Sequence, residues 1–169
     1  MVGCAKGSHG LPYDGWRLGL FAPNYMEVWI ETADAVDVRD RVFRRAMSGV
    51  AAIQTPKNLK GNPRGWPSYP GWGAGKYVYG AAVPRLIYVR WQSVVEPQTY
   101  QGWIEIPESA RQVMRAALRK DCQQFPETAS ILKIASVRLG LAPVGVVQIW
   151  VLDECMHPVK VARGQAEIE

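Results

Sequence analysis

Residues 86–106, LIYVRWQSVVEPQTYQGWIEI, contain the pattern that decides the fold. The first part, Leu86–Gln92, is apolar on both sides of an extended chain, which is typical of a strand inside a sheet. Glu96-Pro97-Gln98 is a turn signal, and Tyr100–Ile106 follows as a second strand. The stretch therefore predicts a β-hairpin near the centre of a sheet.

Further strands are predicted on both sides of this hairpin. In Tyr25–Glu31 every second residue is apolar and faces one side, while Glu27, Trp29 and Glu31 share the other. The remaining predicted strands are Trp16–Phe21, an extension through Val36 and Val38, Ile131–Leu139, Val144–Leu152 and a short edge at Val159–Val161. Val42-Phe43 and Gly49–Ile53 either flank a turn or belong to a short helix.

One amphipathic helix is predicted to begin at Pro107-Glu108-Ser109, because Pro and an acidic residue suit a helix start. Apolar residues then recur at helical spacing, and basic residues take the outer face and the C-terminal end. The predicted inward residues are Ala110, Val113, Met114 and Ala117, and the predicted outward residues are Arg111, Arg115, Arg119 and Lys120. The fold class is therefore α+β, mainly β, with an antiparallel sheet or sandwich of about seven strands and one helix.

The composition fits this class. The chain has 169 residues, of which 48% are apolar and 21% charged, which is ordinary globular composition with enough length for a sizeable core. No apolar run approaches the eighteen or so residues that a bilayer-spanning helix needs. We expect residues 16–169 to form a single globular domain, preceded by a flexible tether at 1–15.

Charge and aromatic residues concentrate in the same region. Between Asp40 and Glu96 there is no acidic residue, whereas nine basic ones occur there. These charges either form one positive surface or scatter over several faces. Residues 56–84 contain five Pro and six Gly among aromatic residues, which predicts a long, ordered excursion. The candidate partner-binding residues are Lys60, Arg64, Trp66, Tyr69, Trp72, Lys76, Tyr77 and Arg90.

Motifs for catalysis are weak. Gly71–Lys76 resembles a phosphate-binding loop, but Pro70 stands where that loop needs Gly and Tyr77 where it needs Ser or Thr. Only His9 and His157 are present, so a His-dependent triad or a His-rich metal site is not expected. Asp34, Asp37 and Asp40 recur every third residue, which is typical of solvated carboxylates. We expect no catalytic residue, no metal and no cofactor, and keep an enzyme as the weakest alternative.

The opening Met1-Val2-Gly3-Cys4 resembles the last four residues of a bacterial lipobox. On this interpretation Met1–Gly3 is the remnant of a signal segment, and Cys4 carries a lipid that anchors the protein. Ala5, in place of Asp, favours the outer membrane by the usual sorting pattern. The alternative is a chance tetrapeptide at an ordinary cytosolic start. In the cytosol, the aromatic and basic residues of 57–91 would also suit single-stranded nucleic acid, a ligand that a periplasmic location removes.

Two further cysteines remain if Cys4 is acylated. Cys122 follows the predicted helix and Cys155 follows a predicted strand, an even pair in an oxidising compartment. A bridge would close a loop of about 33 residues and stabilise the fold by roughly 3–4 kcal/mol. The alternative is two buried free thiols.

Several short sequence motifs resemble those of a family of small, uncharacterised bacterial lipoproteins common in pseudomonads and their relatives. They are Ala22–Trp29, Val89–Tyr100 and the Gly-Trp-Pro and Pro-Gly-Trp-Gly runs in 65–73. The similarity covers Trp16 to about Arg163. It implies a periplasm-facing lipoprotein without known catalytic residues. Some such lipoproteins are immunity proteins, encoded beside type VI secretion phospholipase effectors, that bind and block the toxin.

The leading hypothesis is therefore a binding protein. We expect an outer-membrane-anchored immunity protein that neutralises a periplasmic lipase or phospholipase toxin through the positive, aromatic region 57–91. The alternative is an envelope structural or ligand-binding lipoprotein that has no toxin partner.

Overall fold

The computed structural model describes residues 15–60, 63, 65–67, 74–120, 122–124 and 134–169. These residues form ten strands and one α-helix, which confirms a mainly β, α+β fold. The strands are β1 Gly15–Phe21, β2 Val28–Asp37, β3 Val42–Ala52, β4 Ala74–Tyr79, β5 Pro84–Ser93, β6 Gln98–Glu105, β7 Ser136–Leu141, β8 Val146–Leu152, β9 Pro158–Gln165 and β10 Glu167–Ile168. The helix is α1, Glu108–Arg119.

The strands form two five-stranded sheets. The first sheet has the order β4-β1-β7-β8-β9, and the second has the order β10-β6-β5-β2-β3. Among the described strands every pairing is antiparallel except that of β1 with β7, in which Leu18 lies beside Val137. The predicted hairpin is present as β5 and β6, with Trp91 opposite Tyr100.

The two sheets share one hydrophobic core. Alternation along β1 turns Trp16, Leu18 and Leu20 inward, where all three are fully buried. In the second sheet, β5 presents alternate apolar residues such as Val89 and Trp91 to the same core. The indole nitrogen of Trp16 donates a hydrogen bond to the carbonyl of Ala82 (2.8 Å), which satisfies its polar atom inside the core. The molecule is thus a β-sandwich.

Helix α1 begins at Glu108, one residue after Pro107, and contacts β8 and β9. Its predicted inward residues include Ala110 and Met114, which are fully buried. Arg111 donates to the carboxylate of Glu108 at 2.7 Å, and this bond, with one from Arg115, lowers the pKa of Glu108. The side chain of Arg119 lies outside the described residues. No helix among the described residues is long and apolar enough to cross a membrane.

A disulfide joins Cys122, just after α1, to Cys155, in the connection between β8 and β9. The predicted pairing is therefore present, with the two Cα atoms 4.9 Å apart. The bond holds the end of the helix against the first sheet, which also receives the helix contacts. The other cysteine, Cys4, lies outside the described residues, as does the predicted tether except for Gly15, the first residue of β1.

The described residues form ten strands rather than about seven, and β3 and β4 differ most from the sequence interpretation. Strand β3 runs through Val42–Ala52 without a helix, although the sequence left this region open. Its pairing with β2 contains a bulge, and Arg45 and Gly49 have φ values of 52° and 66°, so left-handed residues bend the strand without ending it. Strand β4 lies inside the predicted excursion, where Pro and Gly obscured its alternation.

Asp37 is buried, which corrects the expectation that the three spaced aspartates are solvated. Its carboxylate accepts hydrogen bonds from the backbone N–H groups of Arg39, Arg41 and Ala82, and from the Arg41 guanidinium. Burial acts to raise the pKa of Asp37, but these donors outweigh it and the pKa is lowered. Asp37 therefore fastens the β2–β3 turn to the chain that leads into β5.

Candidate functional site

The outward side of the second sheet carries exposed aromatic residues. Trp29 of β2, Tyr88 of β5 and Trp103 of β6 all point away from the core, since their strand neighbours point into it. Trp29 is 43% exposed and Trp103 51% exposed. We call these three residues, with the polar side chains around them, the aromatic face.

Two of the three aromatic residues of this face, Tyr88 and Trp103, are held in place. Tyr88 and Trp103 lie directly opposite each other on β5 and β6, with ring centroids 5.3 Å apart. The hydroxyl of Tyr88 donates a hydrogen bond of 2.9 Å to the side-chain oxygen of Gln101. Fixed side chains lose little rotamer freedom when a partner binds, so the face is already arranged for a contact.

A charged network lies across the same face. The guanidinium of Arg90 donates to the carboxylate of Glu31 and, through Nη1 at 2.8 Å, to that of Glu169. Gln92 also donates to Glu31. The Gln92 bond, followed by the bond and charge of Arg90, lowers the pKa of Glu31, and the bond to Glu31 raises the pKa of Arg90. All four side chains are therefore fixed by one another.

Carboxylates outnumber basic side chains on this side of the second sheet, even when the exposed Arg44 and Arg45 of β3 are included. The acidic residues at outward positions on or beside β2, β6 and β10 are Glu31, Asp34, Glu105, Glu167 and Glu169. Arg90 is the basic residue among the outward positions of β5. The aromatic face therefore suits a partner whose contacting surface is basic.

The predicted partner-binding residues do not share one surface. Lys60 is exposed and its carbonyl accepts the Tyr25 hydroxyl (3.4 Å). Lys76 and Tyr77 lie on β4, at the edge of the first sheet, whereas Arg90 lies on the aromatic face of the second. Arg64, Tyr69 and Trp72 lie outside the described residues. Of the two options left open by the sequence, the described basic residues follow the second and occupy several faces.

Trp66 packs against the outside of the first sheet. Its ring centroid lies 5.5 Å from that of Phe21 and 5.1 Å from that of Trp150, and the three rings form an aromatic cluster. Gly140 of β7 leaves room for it, because an added Cβ atom would lie 2.5 Å from the Trp66 ring. Trp66 is therefore part of the packing that covers this sheet, although it also borders a cleft described below.

Sequence reasoning missed Trp29 and Trp103 as binding candidates, but a signal was present. Trp29 stands between Glu27 and Glu31 on the polar side of an alternating strand. A large aromatic residue on the polar side of a strand is exposed by its own periodicity, and exposed aromatic residues are typical of interfaces. Within the described residues, His, Cys, Asp and Glu form no group of three that could hold a metal ion.

The fold is a β-sandwich, and one of its sheets carries the exposed aromatic face. The chain belongs to the family described as Protein of unknown function (DUF2931), which matches residues 5–169. No curated protein matches the chain, and no solved structure does. Family membership agrees with the resemblance to an uncharacterised family and assigns no activity.

Proposed function

We propose that this protein is an immunity protein: a periplasm-facing lipoprotein of the outer membrane that binds a secreted lipase or phospholipase and blocks it through the aromatic face. The exposure of Trp29 and Trp103 on a fixed, uncovered sheet carries the proposal. Tryptophan is enriched among the residues that dominate binding energy at interfaces. Two such residues, each about half exposed on one sheet, offer a partner apolar area to bury.

The charge of the face defines the partner more closely. Arg90 is already neutralised by Glu31 and Glu169, so it is not available to attract an acidic surface. The surplus carboxylates instead favour an effector with lysine and arginine around the mouth of its active site. Opposite charges at the rim of an interface increase the association rate, and salt screens them.

The disulfide supports a location outside the cytosol. Disulfides persist in oxidising compartments such as the periplasm and are rare in the cytosol. The Cys122–Cys155 bond therefore agrees with the lipoprotein hypothesis for Cys4. A mass spectrum of the native protein tests the anchor, since diacylglycerol and an amide-linked acyl chain on Cys4 add a characteristic mass.

The proposed action is steric and needs no catalytic group in this chain. A rigid sheet surface seated over the effector's active-site mouth would exclude the lipid substrate. The interaction is tested by titrating the product of the neighbouring effector gene with the purified domain in a calorimeter. We expect binding and, in cells, protection from the effector.

Variants of the aromatic face test whether the partner binds this surface or another one. Trp29→Ala and Trp103→Ala together should weaken binding by at least about thirtyfold, the effect of losing an interface hot spot. Tyr79→Ala is the matched control, because Tyr79 is 78% exposed but belongs to β4 of the first sheet. Unchanged binding by the double variant would contradict the proposed surface. No binding by the wild type would contradict the function itself.

A further inference from the structure

A cleft of about 300 Å³ opens on the outer side of the first sheet, away from the aromatic face. Its walls come from the turn after β1, from Trp66 and from the connection between β7 and β8. Among the described residues, Pro23, Met26, Trp66 and Pro143 form its apolar wall, and the polar side chains of Gln148 and Arg163 also line it. An apolar wall with polar groups beside it is the combination that ligand sites use to hold and orient a ligand.

Hydrogen bonds fix the walls on both sides. On one side, the backbone N–H of Asn24 donates to the carbonyl of Gly65 (3.3 Å), which ties the turn after β1 to the segment that carries Trp66. On the other, the N–H of Ala142 donates to the carbonyl of Val146 (2.9 Å). The cleft is therefore formed before a ligand arrives, and binding would not need to order it.

The turn between these last two residues is anchored as well. The carboxylate of Glu96 accepts the N–H of Val144 at 2.8 Å. Gly145 has a φ of 76°, and a Cβ atom there would lie 2.5 Å from the carbonyl oxygen of Ala166. Glycine thus allows the turn to press against the segment between β9 and β10, and the rim of the cleft cannot easily move.

Arg163 supplies the available charge. It lies directly opposite Gln148 on neighbouring strands, at the border of the cleft. The amide of Gln148 already donates to the carbonyl of Ala162. Arg163 is exposed, and no carboxylate among the described residues pairs with it. A guanidinium beside an apolar cavity, with its donors open, matches the two oxygens of a carboxylate.

We propose that this cleft binds a small carboxylate with an apolar body, with the carboxylate on Arg163 and the apolar part against Trp66, Met26 and Pro143. The volume lies at the lower end of the range for ligand pockets, so the site suits one apolar group and excludes a whole phospholipid. Such a carboxylate has two sources, a free aliphatic acid or the last residue of a peptide. The binding site is independent of the immunity function, because it lies on the other sheet.

Three probes test the site by calorimetry on the intact protein. Decanoate represents the free acid, N-acetylphenylalanine represents a peptide end, and N-acetylphenylalaninamide is its uncharged counterpart. At least one acid should bind at concentrations up to about 10 mM, and the amide should bind at least about tenfold more weakly than its acid, since charge-assisted hydrogen bonds contribute about this factor. The acid that binds identifies the source.

Variants locate the binding. Arg163→Gln should weaken the acid that binds by about tenfold or more, and Ala142→Phe should abolish binding by filling the cleft. Lys76→Gln is the matched control, an exposed cation on β4 that should bind as the wild type does. Arg163 is exposed, so its variant should keep the wild-type thermal unfolding midpoint, which shows that the fold is intact. Failure of both acids to bind, or equal affinity of wild type and Arg163→Gln, would overturn the proposal.

Discussion

The outward sides of the two sheets both carry aromatic residues, but a cluster of them on the first sheet is buried, whereas two tryptophans on the second sheet are exposed. On the first sheet, Phe21 is 2% exposed and Trp150 5% exposed, because they pack with Trp66. On the second sheet, Trp29 and Trp103 are about half exposed. An aromatic-rich composition therefore does not indicate which sheet exposes its aromatic residues, because that depends on what packs over each sheet.

Glycine makes part of the difference. At Gly140 the first sheet has no side chain, and the ring of Trp66 occupies that space. At the outward positions of the second sheet, the side chains of Arg90 and Gln92 fill the surface, and both donate hydrogen bonds to Glu31. A chain segment laid on this second surface, as Trp66 is laid on the first, would have to displace charged groups that already have partners.

The largest expected effect tests the covered side against the bare one. Trp150→Ala should lower the free energy of unfolding by about 4 kcal/mol, because it opens a cavity between Phe21 and Trp66. Trp103→Ala should lower it by less than about 1 kcal/mol, since half of that side chain is already in water. Urea denaturation of both variants measures the two values, and similar losses would refute the contrast.

A smaller effect is expected at the buried carboxylate. Asp37→Asn should cost about 2 kcal/mol at pH 7, since an amide cannot accept all the bonds that the carboxylate accepts. The pKa of Asp37 is lowered by folding, so its stabilisation is present above the ordinary pKa of about 3.9 and is lost as the pH falls through the folded value. The difference between wild type and variant should therefore shrink below about pH 4 in acid titrations of unfolding. Asp34→Asn is the control, and an unchanging difference would contradict the assignment.

The smallest effect is expected on the aromatic face. Folding also lowers the pKa of Glu31, chiefly through Gln92 and then Arg90, so its contribution has the same sign of pH dependence. The ion pair is partly solvated, and Glu31→Gln should change the free energy of unfolding by less than about 0.5 kcal/mol. The same variant should change the salt dependence of partner affinity more than it changes the free energy of unfolding. A stability loss as large as that of Asp37→Asn would show that the network serves the fold.

Much of the fold could be predicted from local patterns. The β5–β6 hairpin and helix α1 were correct because each has a clear period and a clear end signal, at Glu96–Gln98 and at Pro107. Strand β4 was missed because its sequence, AGKYVY, follows a run of Gly and Pro that favours a loop. The parallel pairing of β1 with β7 could not be predicted, since its partners lie at opposite ends of the sequence and no turn fixes their register.

The candidate surface was harder to predict than the fold. The sequence places Arg90, Lys76 and Trp66 in one aromatic, basic region, but the strands turn these side chains toward different surfaces. The net charge of a sequence segment does not give the net charge of a surface, because the surface combines residues from strands that are distant in sequence. Glu169, for example, reaches Arg90 only because β10 adds to the edge of β6.

The position of β1 has a consequence for how the chain folds. This first strand is flanked by β7, and the sheet is completed only by β8 and β9, close to the end of the sequence. Contacts between distant segments slow folding, because the chain loses entropy before it gains them. The first sheet can therefore close only after β7, β8 and β9 have left the ribosome and can pair with the strands made earlier.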